Sequence, residues 1–207
     1  MRHLHPLLML SVAAFSLFVQ GQSPTGTGTA AAESKPADGP TDPKALKTFN
    51  DALILFKKKD YIFALDEFRK ADKQDGGKCI PCEIKAYQSA DNLQNYKAAR
   101  EQTDLLLAHM PEPASQAQLH YLAGETCMSE GTQLKHDKAF AEASAEFEAA
   151  LKSDSNFGPA QLDLAETLLE SGDVKDAIPW LQRAEQSASP AVVQRARELA
   201  RHTQSTR

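Results

Sequence analysis

One side-chain pattern returns along this chain at intervals that suit a pair of helices. In the stretch KKKDYIFALDEFRKA, Tyr61, Ala64, Leu65, Phe68 and Ala71 recur three and four residues apart, which places them on one helical face. Tyr96, Ala99, Thr103 and Leu106 repeat that face 35 residues later. Phe140, Ala143, Phe147 and Ala150 follow after a further 44, and Val174, Ala177, Leu181 and Ala184 after a further 34. A period near 34 residues, with Ala at a fixed offset, predicts an array of helix–turn–helix units. Aromatic residues are only 7% of the chain, and Ala and Leu dominate its apolar set, which favours helix over strand.

The unit GPAQLDLAETLLESGDVKDAIPWLQRAEQSASP resembles the tetratricopeptide repeat family. Leu164, Ala165 and Leu168 match its first helix, and Gly172 and Asp173 its turn. Ala177 and Ala184 match the small contact residues of its second helix, with Pro190 near the usual closing Pro. In the preceding unit, Gly124 and Cys127 match the first helix and Phe140, Ala143, Phe147 and Ala150 the second. Small residues at these places let helices approach closely. The resemblance runs from about Ala45 to Pro190 and implies an all-α solenoid of about four units. The sequence AVVQRARELARH then predicts a C-terminal capping helix, with Val192, Val193, Ala196, Leu199 and Ala200 inward and Arg195, Arg197 and Arg201 in solvent.

Departures from the family pattern are local. Asp51 stands where an apolar residue is usual, Tyr87 where Gly or Ala is, and Thr103 at a large apolar position. The long interval before the third unit predicts a longer loop around Pro111 and Pro113 and an extended third helix pair through SEGTQLKHDKA. Pro179 falls inside the fourth unit's second helix, where it removes a backbone hydrogen bond and predicts a kink.

Residues 1–21 read as a signal peptide. Arg2 precedes an apolar run from Leu7 to Val19, and small Val19 and Gly21 suit cleavage after Gly21. An uncleaved anchor or a buried helix is the competing reading of that run. Cleavage predicts a periplasmic or secreted chain with no membrane span. Residues 22–43 hold no large apolar side chain and read as a disordered tether. Residues 44–205 form the repeat array.

By the resemblance, the first helices line a concave face. Its groove positions are Phe49, Leu53 and Phe56 in the first unit, and Ile84, Gln88 and Asp91 in the second. In the third they are Tyr121, Glu125 and Met128, and in the fourth Leu162, Glu166 and Leu169. A chaperone-type module of this family clamps a C-terminal carboxylate with Lys, Asn and Arg, and Phe49 and Leu53 occupy two of those places here. The surface instead suits a protein or peptide segment with apolar anchors and a nearby Lys or Arg. Packing between helices, or against another copy of the chain, is the alternative use of the same side chains. With 23 Lys and Arg against 28 Asp and Glu, the net charge is −5, which disfavours a nucleic-acid partner.

Cys79 and Cys82 sit three apart at a helix start, near disulfide range. A structural disulfide, two packed thiols and a redox-active pair all fit the motif CIPC. Glu83 stands where haem attachment requires His, and no second Cys pair completes a zinc site. Cys127 reads as a packed thiol. His109, His120, His136 and His202 form no ligand spacing, and no catalytic motif or phosphate loop is present, so no metal, cofactor or catalytic residue is assigned. Two functions follow: an exported, non-enzymatic protein-binding scaffold, or an envelope thiol–disulfide component using Cys79 and Cys82.

Overall fold

A computed structural model describes residues 39–205. The signal segment and most of the tether lie outside the described residues. Nine helices follow one another among the described residues: α1 (Pro43–Lys57), α2 (Tyr61–Gln74), α3 (Ile80–Asn92), α4 (Tyr96–His109) and α5 (Pro113–Leu134). They continue as α6 (Asp137–Ser153), α7 (Gly158–Glu170), α8 (Val174–Ala184) and α9 (Pro190–Ser205), with no strand. Each helix packs on its successor, and α7 also meets α5 and α9. The result is an all-α solenoid of four helix pairs closed by α9.

The alanines at the repeated offset explain the stacking. Ala64, Ala99, Ala143 and Ala177 are all buried, so the second helix of every unit approaches its neighbours at a methyl group. Gly124 serves the same end on α5, because a Cβ there would come within 2.5 Å of the Phe147 ring. Three cores result: one around Phe49 and Phe68 in the first units, one around Phe147 in the third, and an aliphatic one around Leu181 and Val192 in the last. Thr103, at a large apolar position, is buried as well and returns its hydroxyl to the Arg100 carbonyl at 2.9 Å.

The turn inside each pair is built alike. Lys59, Gln94, Lys135 and Gly172 each stand two residues before a second helix, and each has a positive φ between 53° and 85°. Only the fourth turn uses glycine, the residue that adopts this conformation without steric cost. Aligning the units on these turns shows where the third pair grew. Helix α5 has 22 residues against 13 in α3 and α7, and α6 begins one turn before Phe140. The expected lengthening of the pair is therefore present, but the expected longer loop is not: only residues 110–112 separate α4 from α5, because Pro113 opens α5 and the added residues are helical.

Other expectations change. Thr41 and Asp42, placed by sequence in the tether, dock through their backbone N–H groups onto Asp75 Oδ1 at 2.8 Å. Asp42 then caps α1 by accepting from Lys44 and Ala45. Pro179 lies within α8 on its exposed side, so the helix accommodates it where water can reach the freed carbonyl. Arg195 is exposed, as expected, and from there also pairs with Glu166 of α7 at 2.8 Å.

Candidate protein-binding face

The first helices of successive pairs lie side by side, and their contacts show which sequence-derived positions remain available. Two do not. Phe49 is 5% exposed and packs on the Phe68 ring at 5.4 Å, and Leu162 is 8% exposed inside the last core. Both leave the candidate surface because the register of α1 and α7 turns them towards the second helices. Leu53, Phe56, Met128 and Leu169 are half-buried and pack against the cores, presenting only their edges. Ile84 and Gln88 are half-buried, and Asp91 is exposed.

The near end of this row is apolar and basic. Lys85 Nζ lies over the Phe56 ring at 5.2 Å and donates to Gln88 Oε1 at 2.8 Å. Burial pulls the Lys85 ammonium below its ordinary range.

The middle is acidic. Tyr121 of α5 donates its hydroxyl to Asp163 Oδ2 of α7 at 2.8 Å, with its ring edge-on to Phe157 at 5.1 Å. Glu125 and Asp163 both act on the same tyrosine, and burial raises all three groups. Glu125 is pushed up to about 7 and Asp163 to about 8, in each case because the carboxylate loses water, with neighbouring carboxylates adding to the shift. Asp91 is raised by the same loss of water, and Tyr87 beside it is raised by burial and by the Asp91 charge. At the far end, Glu166 is matched by Arg195 of α9. Arg195 is the cation that acts on this cluster, and it lies at one edge.

Asp163 was missed from sequence, although it left a signal. It stands alone among Gln161, Leu162, Leu164 and Ala165, which are all buried. A carboxylate inside such a run needs a partner from another helix. Tyr87, Lys85 and Arg195 were also outside the expected site.

The other candidates resolve as follows. Cys79 and Cys82 hold their sulfurs 2.05 Å apart and their Cα atoms 5.2 Å apart at the N-terminus of α3. Both are buried, at 3% and 0% exposure. Asp72 Oδ1 accepts from the Cys79 N–H at 2.9 Å, and the next residue, Glu83, is fully buried against His109 Nδ1 at 2.7 Å. Cys127 is a buried free thiol, pushed up to about 11 by burial. His120 meets Glu146 at 2.8 Å, and Lys70 pairs with Glu67 at 2.8 Å. No group of three metal-ligating side chains occurs among the described residues, and no described helix is long and apolar enough to cross a membrane.

A family model for the tetratricopeptide repeat matches residues 134–199. The fold is similar to that of MamA from Desulfovibrio magneticus RS-1, with 17% identity over 70% of this chain and 75% of that one, and a TM-score of 0.54. It is also similar to MamA of AMB-1, at 15% identity over 74% and 81% of the two chains and a TM-score of 0.56. A thermophilic tetratricopeptide-repeat protein of Thermus thermophilus matches at 16% identity over 75% and 80%, with a TM-score of 0.51. No curated protein matches the chain. Residues 134–199 thus match the tetratricopeptide-repeat model, and the described residues share the fold of tetratricopeptide-repeat arrays.

Proposed function

We propose that this protein is an exported, non-enzymatic scaffold that holds a protein or peptide segment along its row of first helices. The observation that carries the reading is the half-buried pair of Glu125 and Asp163 at Tyr121, whose hydroxyl donates to Asp163, with Arg195 at one edge as the cation acting on Asp163. Under-solvated carboxylates favour an arriving ammonium or guanidinium, which replaces the lost water. The partner segment carries a Lys or Arg at the third and fourth units and apolar anchors towards Phe56. Its cation stays away from Lys85. The signal-like run Leu7–Val19 supports export to a periplasm or to the medium.

The Cys79–Cys82 pair serves structure on this reading. Both cysteines are buried, which shields their sulfurs from the attacking thiolate that disulfide exchange requires. Exchange chemistry is the weaker assignment for that reason.

The test uses amphipathic peptides that differ only in one Lys, with binding read by fluorescence anisotropy. Tyr121→Ala is expected to weaken the Lys-bearing peptide by about 1–2 kcal/mol, the range of an interface hot spot. Glu148→Ala, at an exposed site on α6, is expected to change nothing. Equal binding by the two variants, with the helical signal intact, would sink the reading. Self-association is scored in parallel by sedimentation, since occupancy by a second copy predicts dimers that Tyr121→Ala disrupts.

A further inference from the structure

The first helix pair presents a surface that the concave face does not use. Among the described residues, three of the exposed large hydrophobic side chains flank one turn: Ile54 in the last turn of α1, and Ile62 and Phe63 in the first turn of α2. Ile54 is 52% exposed, and Ile62 and Phe63 are each 61% exposed. The register of α2 causes this: with Ala64, Leu65 and Phe68 turned inward, Ile62 and Phe63 must face out.

Lys57, Lys58 and Lys59 form the turn between them. All three are exposed, and none makes an ion pair among the described residues. Asp60 closes the turn, and Asp51 and Asp66 stand further along the two helices. The charge of the chain is split in the same sense. Residues 39–78 hold nine Lys and Arg against seven Asp and Glu, whereas residues 79–207 hold twelve against nineteen.

We propose that this turn docks the protein on an anionic lipid bilayer, with Ile62 and Phe63 entering the headgroup–acyl boundary and Lys57, Lys58 and Lys59 over the phosphates. A narrow turn with three flexible point charges suits the diffuse field of a lipid surface. A specific protein partner needs a broad complementary patch of about 800 Å² on each side, and one turn offers less. The predominantly acidic remainder is repelled by the same surface, so the molecule docks with its first pair down and its acidic face away. The contact is interfacial and requires no spanning helix.

The experiment uses the full chain with Phe63→Trp and vesicles made of brominated phosphatidylcholine, with or without phosphatidylglycerol. The parent has a single Trp, Trp180, half-buried in α8, and supplies the baseline. Quenching of the added indole on phosphatidylglycerol-containing vesicles, and not on neutral ones, is the expected result. Lys57→Gln, Lys58→Gln and Lys59→Gln together are expected to weaken binding by about 100-fold at low salt and to remove that quenching. These positions are exposed, so an unchanged helical signal verifies the fold. Binding without quenching at position 63 means adsorption through another segment, such as the N-terminal apolar run, and overturns the proposal. Quenching that survives the three lysine changes overturns it too. So does failure on vesicles together with capture by an acidic protein, which reassigns the turn to a protein partner.

Discussion

Tyr121 and Asp163, 42 residues apart, meet through a 2.8 Å hydrogen bond that ties α5 to α7 on the row of first helices. The bond fixes a carboxylate where water is scarce, and burial pushes Asp163 up to about 8 and Glu125 beside it to about 7. Each group holds a proton more tightly in the folded chain than in the unfolded one. Their contribution to stability is therefore fully present below the ordinary carboxylate range and is lost as pH rises through about 7 to 8. Thermal melts are expected to show stability declining across that window, and Asp163→Asn is expected to flatten the decline. A parent and variant with parallel pH profiles would refute the assignment. The same protons are released when a cation binds, so Lys-bearing peptides should bind more tightly on the alkaline side of the window.

Ala177 is fully buried where α8 meets α7. Ala177→Phe inserts a ring into a contact built for a methyl group and is expected to cost about 1–3 kcal/mol. Chemical denaturation reads this directly, and a parental midpoint would mean that the repeat register is wrong.

Lys135 closes the third turn with a φ of 53°. A side chain in this left-handed region costs about 1 kcal/mol, which glycine avoids at some entropic cost to the folded state. Lys135→Gly is expected to be neutral or stabilising by up to about 1 kcal/mol. The matching change at an ordinary helical position, Lys152→Gly in α6, is expected to destabilise by a similar amount. Two equal losses would show that the turn is not strained.

Cys79 and Cys82 close a short loop at the start of α3. Opening it is expected to lower stability by about 2 kcal/mol, the entropic scale for a loop of this size. A potential below about −300 mV, measured against defined thiol buffers, marks a structural link. A value in the oxidoreductase range, about −120 to −270 mV, would restore thiol exchange as the function.

Much of the architecture was present in local pattern. Tyr61, Ala64, Leu65, Phe68 and Ala71 fix one helix and the face it buries, because helical period and side-chain size act within a few residues of chain. Repetition of that face at Ala99, Ala143 and Ala177 then specifies stacked pairs, since no unit can bury its apolar stripe alone. The extended third pair was legible for the same reason. The binding face was not. Its chemistry rests on Tyr121 with Asp163, Glu125 beside them, and Glu166 with Arg195, groups brought together from different helices. Whether Phe49 and Leu162 line a groove or fill a core, and whether Ile62 and Phe63 are covered or bare, depends on the rotation of each helix against its neighbours. A period of 34 residues determines that helices stack. Only the packed superhelix decides which side chains meet across the stack, because a rotation of one residue, about 100°, exchanges a buried position for an exposed one.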